Sequence, residues 1–267
     1  MRRYAVAGFP VRHSLSPLIH AHFARAAQRN IVYAAFAPPP EKFAEFVRAF
    51  FAAGGRGLNI TAPFKKDALQ IAGRASAFAR RADAANVLTA EENGIAAHNT
   101  DGAGLIKDMS KNCGVPPAGK KILIAGAGGA ARAAALALAE QGAKITIVAR
   151  RLSAADSLAQ TAGGTPAEFA GCGGEYDIVV NAIPGQNGET PLPHKVFSGA
   201  ALAYDLNYGA AAMPFLQAAA TARMRADGIG MLAEQAALSF AIWEGMMPST
   251  KGLIKDLRRR QSAPSGE

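Results

Sequence analysis

Short apolar runs and amphipathic stretches alternate along this chain, in the order expected of strands and helices in turn. Tyr4–Phe9 is a buried-strand pattern, and Ser16 is expected to cap a helix with Pro17 at its first position. Ile19, Phe23 and Ala26/Ala27 follow at helical spacing, and Ile31–Phe36 predicts the next strand. Pro38-Pro39-Pro40 breaks the chain. Glu41–Ala53 then predicts an amphipathic helix with Phe43, Phe46, Val47, Phe50 and Phe51 inward, stopped by Gly54-Gly55. Leu58–Ala62 is a short strand pattern. Val87–Ala90 and Ile95–His98 flank the turn-prone Asn93-Gly94, which predicts a hairpin.

The rhythm changes after Gly102. A helix is predicted to about Lys111, a loop over Cys113–Gly119, and then a βαβ unit from Lys121–Ala125, Ala130–Glu140 and Lys144–Ala149. Asp177–Ala182 and Ala201–Leu206 continue as parallel strands. Met231–Met246 is helical and apolar, Lys255–Arg260 is a basic tail, and Gln261–Glu267 has a disordered composition. The pattern implies an α/β protein of two domains. An N-terminal α/β substrate domain is expected over 1–101 and a Rossmann-type dinucleotide domain with a parallel sheet over 102–227. The C-terminal helices of 228–267 are expected to return to the first domain.

Composition narrows the partners. Half of the 267 residues are hydrophobic and 18% are charged, as in a water-soluble globular chain, and no apolar run reaches membrane-span length. The net charge of +9 invites a nucleic-acid reading. However, the basic residues are scattered and aromatics do not interleave with the clusters at Arg80-Arg81, Arg150-Arg151 and Arg258–Arg260. An anionic substrate and cofactor account for the charge more economically. Cys113 and Cys172 form no close pair, which suits free thiols in a reducing cytoplasm. His13, His20 and His22 lack a metal-ligand spacing on one helix face, so no metal site is expected.

The chemistry sits in three motifs. Gly126-Ala127-Gly128-Gly129-Ala130-Ala131 follows a strand pattern and opens a helix, the setting of a dinucleotide fingerprint. The second strand ends in Arg150-Arg151 with no carboxylate before Asp156, which favours the 2′-phosphate of NADP(H) over the ribose hydroxyls of NAD. Asn59–Lys65 and His98–Gly102 place a lysine, Lys65, and a carboxylate, Asp101, upstream of that turn. A proton-moving group beside a dinucleotide site is what reversible alcohol–ketone chemistry needs. Ser14 and Ser16, at a helix start, suit a carboxylate, although by themselves they are better read as a loop serine and a cap serine.

Taken together, these segments resemble the shikimate dehydrogenase family over nearly the whole chain. The resemblance rests on Gly8–Pro17, Asn59–Lys65, Ala85-Asn86, Asn99–Gly102, Gly126–Ala130, Tyr204–Tyr208 and Asp227–Gln235. It implies NADP-dependent interconversion of 3-dehydroshikimate and shikimate in aromatic amino-acid biosynthesis, in a cleft between the two domains. Residue by residue it implies Lys65 as catalytic acid/base beside Asp101. Ser14, Ser16, Thr61, Asn86, Asp101, Tyr208 and Gln235 would be substrate contacts. Gly126, Ala127, Gly128, Gly129, Ala130, Arg150 and Arg151 would be cofactor contacts, with Leu206 and Gly228 bordering the nicotinamide. The chain departs from the family pattern at Val87, at Ile183-Pro184 and at Ala149 and Arg151. Two alternatives stand beside this reading: a quinate/shikimate dehydrogenase of the same fold using NAD, and a catalytically idle NADP-binding module. A small molecule is the expected partner, with neither nucleic acid nor membrane, and a homodimer is left open.

Overall fold

A computed structural model describes residues 1–185 and 190–262, and the chain divides into two compact units. Met1–Thr100 and Gln235–Lys255 make the first; Asp101–Glu234 and Asp256 onward make the second. The expected boundary after residue 101 thus falls one residue earlier. The expected C-terminal segment 228–267 is shared between the units, its middle belonging to the first.

The first unit opens with β1 (Arg2–Ala7), α1 (Ser16–Ala26), β2 (Ile31–Phe36), α2 (Phe43–Ala52) and β3 (Gly55–Ile60). It continues with α3 (Lys65–Ile71), β4 (Arg74–Ala75), α4 (Ala77–Ala82), β5 (Val87–Glu91) and β6 (Gly94–His98). The strands form one sheet in the order β2-β1-β3-β5-β6-β4, in which β5 alone runs against its neighbours. Alternation along β1 and β3 sends Ala5, Ala7, Leu58 and Ile60 to one core with Phe43, Val47 and Phe64, where the Phe43 and Phe64 rings stack at 4.2 Å. Phe43 and Val47 are buried as expected, whereas Phe46, Phe50 and Phe51 only pack against the core's edge. Pro40–Lys42 is a 3-10 turn, which moves the helix start past Glu41.

The second unit contains α5 (Asp101–Lys107), β7 (Lys121–Ala125), α6 (Gly129–Glu140), β8 (Lys144–Val148), α7 (Leu152–Ala162) and β9 (Thr165–Ala167). Next come β10 (Ile178–Asn181), β11 (Leu202–Asp205), α8 (Met213–Ala218) and β12 (Arg225–Ala226). Their order, β12-β11-β10-β7-β8-β9, is parallel throughout and reverses direction between β7 and β10. That is the doubly wound Rossmann arrangement, whose ligands bind beyond the carboxyl ends of the strands at the reversal. The strands are apolar on both faces. Ile122, Ile124, Ile145, Ile147, Ile178 and Val180 enter one core, while Leu123, Val148, Val179 and Ala203 enter the other.

Two further helices close the chain, α9 (Ile229–Glu244) and α10 (Lys251–Ser262). Leu253, Ile254 and Leu257 are buried on α10, so the basic tail is the solvated side of an amphipathic helix that reaches Ser262. The rest of the stretch expected to be disordered, 263–267, lies outside the described residues. No helix among the described residues is long and apolar enough to cross a membrane.

Candidate active site

The predicted substrate residues on the strands of the first unit gather at one end of its sheet, where parallel β1 and β3 finish and antiparallel β5 begins. β1 ends at Ala7, whose carbonyl accepts the N–H of Thr61 at 2.9 Å just past the end of β3. Beyond Ala7 the chain loops to Ser14. Ser16 is the first residue of α1 rather than its cap; its N–H donates to Ser14 Oγ at 3.3 Å, so the helix start is closed from just before it. Phe64 N–H donates to Thr61 O at 3.0 Å, which turns the chain into α3 and makes Lys65 its first residue. The Lys65 carbonyl accepts Ala85 N–H at 2.8 Å, and this bond sets half-buried Lys65 beside Asn86 at the start of β5.

Asn86 is held on every side. Its Nδ2 donates to Thr100 Oγ1 at 2.9 Å and to Gln235 Oε1 at 3.1 Å, while its Oδ1 accepts Thr100 N–H at 2.8 Å. Thr100 Oγ1 in turn donates to the Gln235 carbonyl at 3.1 Å. The network extends through Ser239, which donates to the same carbonyl at 2.9 Å, and Asn59, whose Nδ2 donates to Ser239 at 3.0 Å. Tyr33 closes it by donating to Asn59 Oδ1 at 2.7 Å. Buried polar groups so fully paired are rigid, and each bond contributes about 1 kcal/mol net. Asn59 and Thr100 lie inside the motifs that flagged the site. Tyr33 and Ser239 sit in apolar runs, and only their burial beside Asn59 reveals them.

Asp101, the first residue of α5 and the one after the anchored Thr100, belongs to the second unit, as do the remaining predicted residues. Burial raises the phenol of half-buried Tyr208 above its usual range. The glycine turn occupies the carboxyl end of β7. Gly126 has φ +115°, a left-handed conformation suited to glycine, and a side chain there would press on the Ala182 carbonyl at 3.0 Å. Gly128 and Gly129 face open space, and Gly129 begins α6, so backbone N–H groups of a helix start are presented to a ligand. Gly126 N–H donates to Val148 O at 2.8 Å, the last residue of β8. Exposed Arg150 and Arg151 follow at once and lead into α7, so the arginine pair stands past the end of the strand that neighbours β7. An open glycine cradle, a helix start and an arginine pair on the adjacent strand fit a dinucleotide bearing a 2′-phosphate. Leu206 and Gly228 meet past the end of β11: Gly228 N–H donates to Asn207 O at 2.8 Å, and a side chain at 228 would collide with the Leu206 carbonyl.

Comparison with known proteins decides the family. The model of the shikimate dehydrogenase substrate binding domain matches residues 6–88, that of shikimate / quinate 5-dehydrogenase residues 110–188, and that of the shikimate 5'-dehydrogenase C-terminal domain residues 228–257. The NADP(+) shikimate dehydrogenase of Aeromonas hydrophila subsp. hydrophila is 43% identical over 97% of this chain and 98% of its own. The chain belongs to the shikimate dehydrogenase family. Its fold is similar to that of the Ael1 enzyme from Pseudomonas putida (TM-score 0.90, 41% identity, 96% of this chain and 98% of that one). It is also similar to that of the shikimate 5-dehydrogenase of Thermus thermophilus, solved with NADP(H) and shikimate (TM-score 0.88, 32% identity, 97% and 99%).

Proposed function

We propose that this chain interconverts 3-dehydroshikimate and shikimate with NADP(H), as an enzyme of aromatic amino-acid biosynthesis. The observation that carries the reading is the rigid Asn86–Thr100–Gln235 network beside Lys65, a preformed polar edge for a hydroxylated ring. The nicotinamide cofactor, when bound, exchanges a hydride with the ring carbon. Lys65 supplies the proton from Nζ to the carbonyl oxygen in reduction and removes it from the hydroxyl in oxidation. Asp101 keeps that ammonium oriented and accepts a hydrogen bond from a neighbouring ring hydroxyl. Asn86 exchanges its Nδ2 bond to Gln235 for one to a ring oxygen, Gln235 binds the ring beside it, and Ser14, Ser16, Thr61 and Tyr208 hold the substrate's carboxylate end. Arg150 and Arg151 pair with the 2′-phosphate. A reducing cytoplasmic setting belongs to this reading, supported by the free, buried thiols of Cys113 and Cys172.

The test is cofactor absorbance at the reduced-nicotinamide band, with shikimate and then quinate, each with NADP and with NAD. Turnover of shikimate with NADP, well above the other three combinations, is the expected result. Preference for quinate or NAD would move the chain to the quinate/shikimate branch. No turnover in any combination, by protein that still binds NADPH, would make it an idle binding module.

A further inference from the structure

Asp205 is the last residue of β11 and is fully buried, yet it takes no part in the chemistry above. Among the described residues, all three groups that bond its carboxylate are donors. Asn181 Nδ2 reaches Oδ2 at 3.0 Å, and the backbone N–H and Nδ2 of Asn207 reach Oδ1 at 2.9 and 2.8 Å. Asn207 Nδ2 also donates to Ile183 O at 2.7 Å, while Asn181 Oδ1 accepts Ile183 N–H at 3.2 Å. One carboxylate therefore ties the tip of β10 to the tip of β11. Both tips border the cofactor residues. Gly126 packs on Ala182 and Ile183, and the Asn207 carbonyl holds Gly228 against Leu206.

We infer that Asp205 is a positioning residue for the nicotinamide half of the dinucleotide, acting through Asn181 and Asn207 to hold Ile183, Leu206 and Gly228 in place. The adenosine half is held separately, by the glycine turn and Arg150-Arg151. The position is an expensive one for an acid. Burial, with a smaller contribution from Asp227, pushes the carboxyl up to about 6 against the opposing bonds from Asn181 and Asn207. A carboxamide does not fit there, because its NH₂ would face a donor at whichever oxygen site it replaced. Asn181 cannot turn over to accept it without releasing Ile183.

The inference rests on the NADP(H) reading and is tested by ligand binding rather than turnover. Asp205→Asn and Asn207→Ala are compared with the parent for affinity toward NADPH, by its fluorescence, and toward adenosine 2′,5′-bisphosphate, which lacks the nicotinamide, by calorimetry. Both variants should lose about tenfold or more in NADPH affinity, while the bisphosphate stays within about twofold. If Asp205→Asn does not fold, half-buried Asn207→Ala carries the same comparison. Equal loss of both ligands, or loss of neither, would overturn the role of Asp205. A parent that binds neither ligand would instead overturn the NADP(H) reading, and this inference with it.

Discussion

Single side chains set the chemistry, and Lys65 gives the most direct test. Its place as the first residue of α3 beside Asn86 is set by backbone bonds, so Lys65→Ala should leave the fold intact. Turnover should fall by ~10²–10⁴, the range of general acid–base effects, with shikimate binding changed far less. Steady-state kinetics alongside equilibrium binding would show it, and near-normal turnover would remove Lys65 from the mechanism. His20 makes a different prediction. It is buried among Tyr33, Phe23, Phe240 and Trp243, stacked on Tyr33 at 4.2 Å, and neither ring nitrogen has a hydrogen-bond partner of normal geometry. Burial pulls its imidazole down to about 3, against a smaller opposing effect of Asn59. The unfolded chain, with an ordinary imidazole near 6.5, therefore binds the extra proton as pH falls. Stability is full above that value and drains between about 6.5 and 3, by up to about 1.4 kcal/mol per pH unit. Urea melts of His20→Phe between pH 7 and 4 should show a shallower loss than the parent's. Parallel curves would mean that His20 is protonated in the folded state.

At the scale of elements, the dinucleotide turn is the best-read part of the chain. β7, α6 and β8 were legible because a strand, a glycine turn, an alanine-rich helix and a second strand follow one another with no gap. The hairpin β5–β6 was equally plain from Asn93-Gly94 between two apolar runs. By contrast, α3, α4 and α7 left little pattern. α3 and α4 are seven and six residues long, too short for a helical period to establish itself, and α7 begins directly behind the arginine pair. The candidate site was legible where its proposed residues sit in contiguous motifs. Its supports were not, since Tyr33 and Ser239 meet Asn59 from distant apolar segments. The β8–α7 junction carries its own prediction. Arg150→Ala with Arg151→Ala should remove most of an NADP preference of about 10²-fold, taking ~1.4 kcal/mol per tenfold and one or two charge-assisted bonds. The loss should appear in NADP affinity, with NAD little changed. Undiminished discrimination would place the phosphate site elsewhere.

For the molecule as a whole, the excess of cations acts at long range, where no single contact is involved. Lys and Arg outnumber Asp and Glu by 29 to 20, and exposed members such as Arg150 and Arg151 stand past the carboxyl end of β8 in the second unit. A field of one sign draws an anion inward and speeds its capture, and salt removes that advantage as the screening length shrinks from roughly 30 Å at 0.01 M to about 3 Å at 1 M. NADP carries several negative charges and shikimate one. Raising salt from about 0.01 M to about 0.3 M should therefore lower kcat/KM for NADP by several-fold, lower that for shikimate less, and leave kcat nearly constant. Stopped-flow association of NADPH should slow in parallel. The ordering by ligand charge separates steering from general salt damage, which would depress kcat and both ligands together. Equal salt slopes for the two ligands would show that the positive charge serves some purpose other than gathering the cofactor.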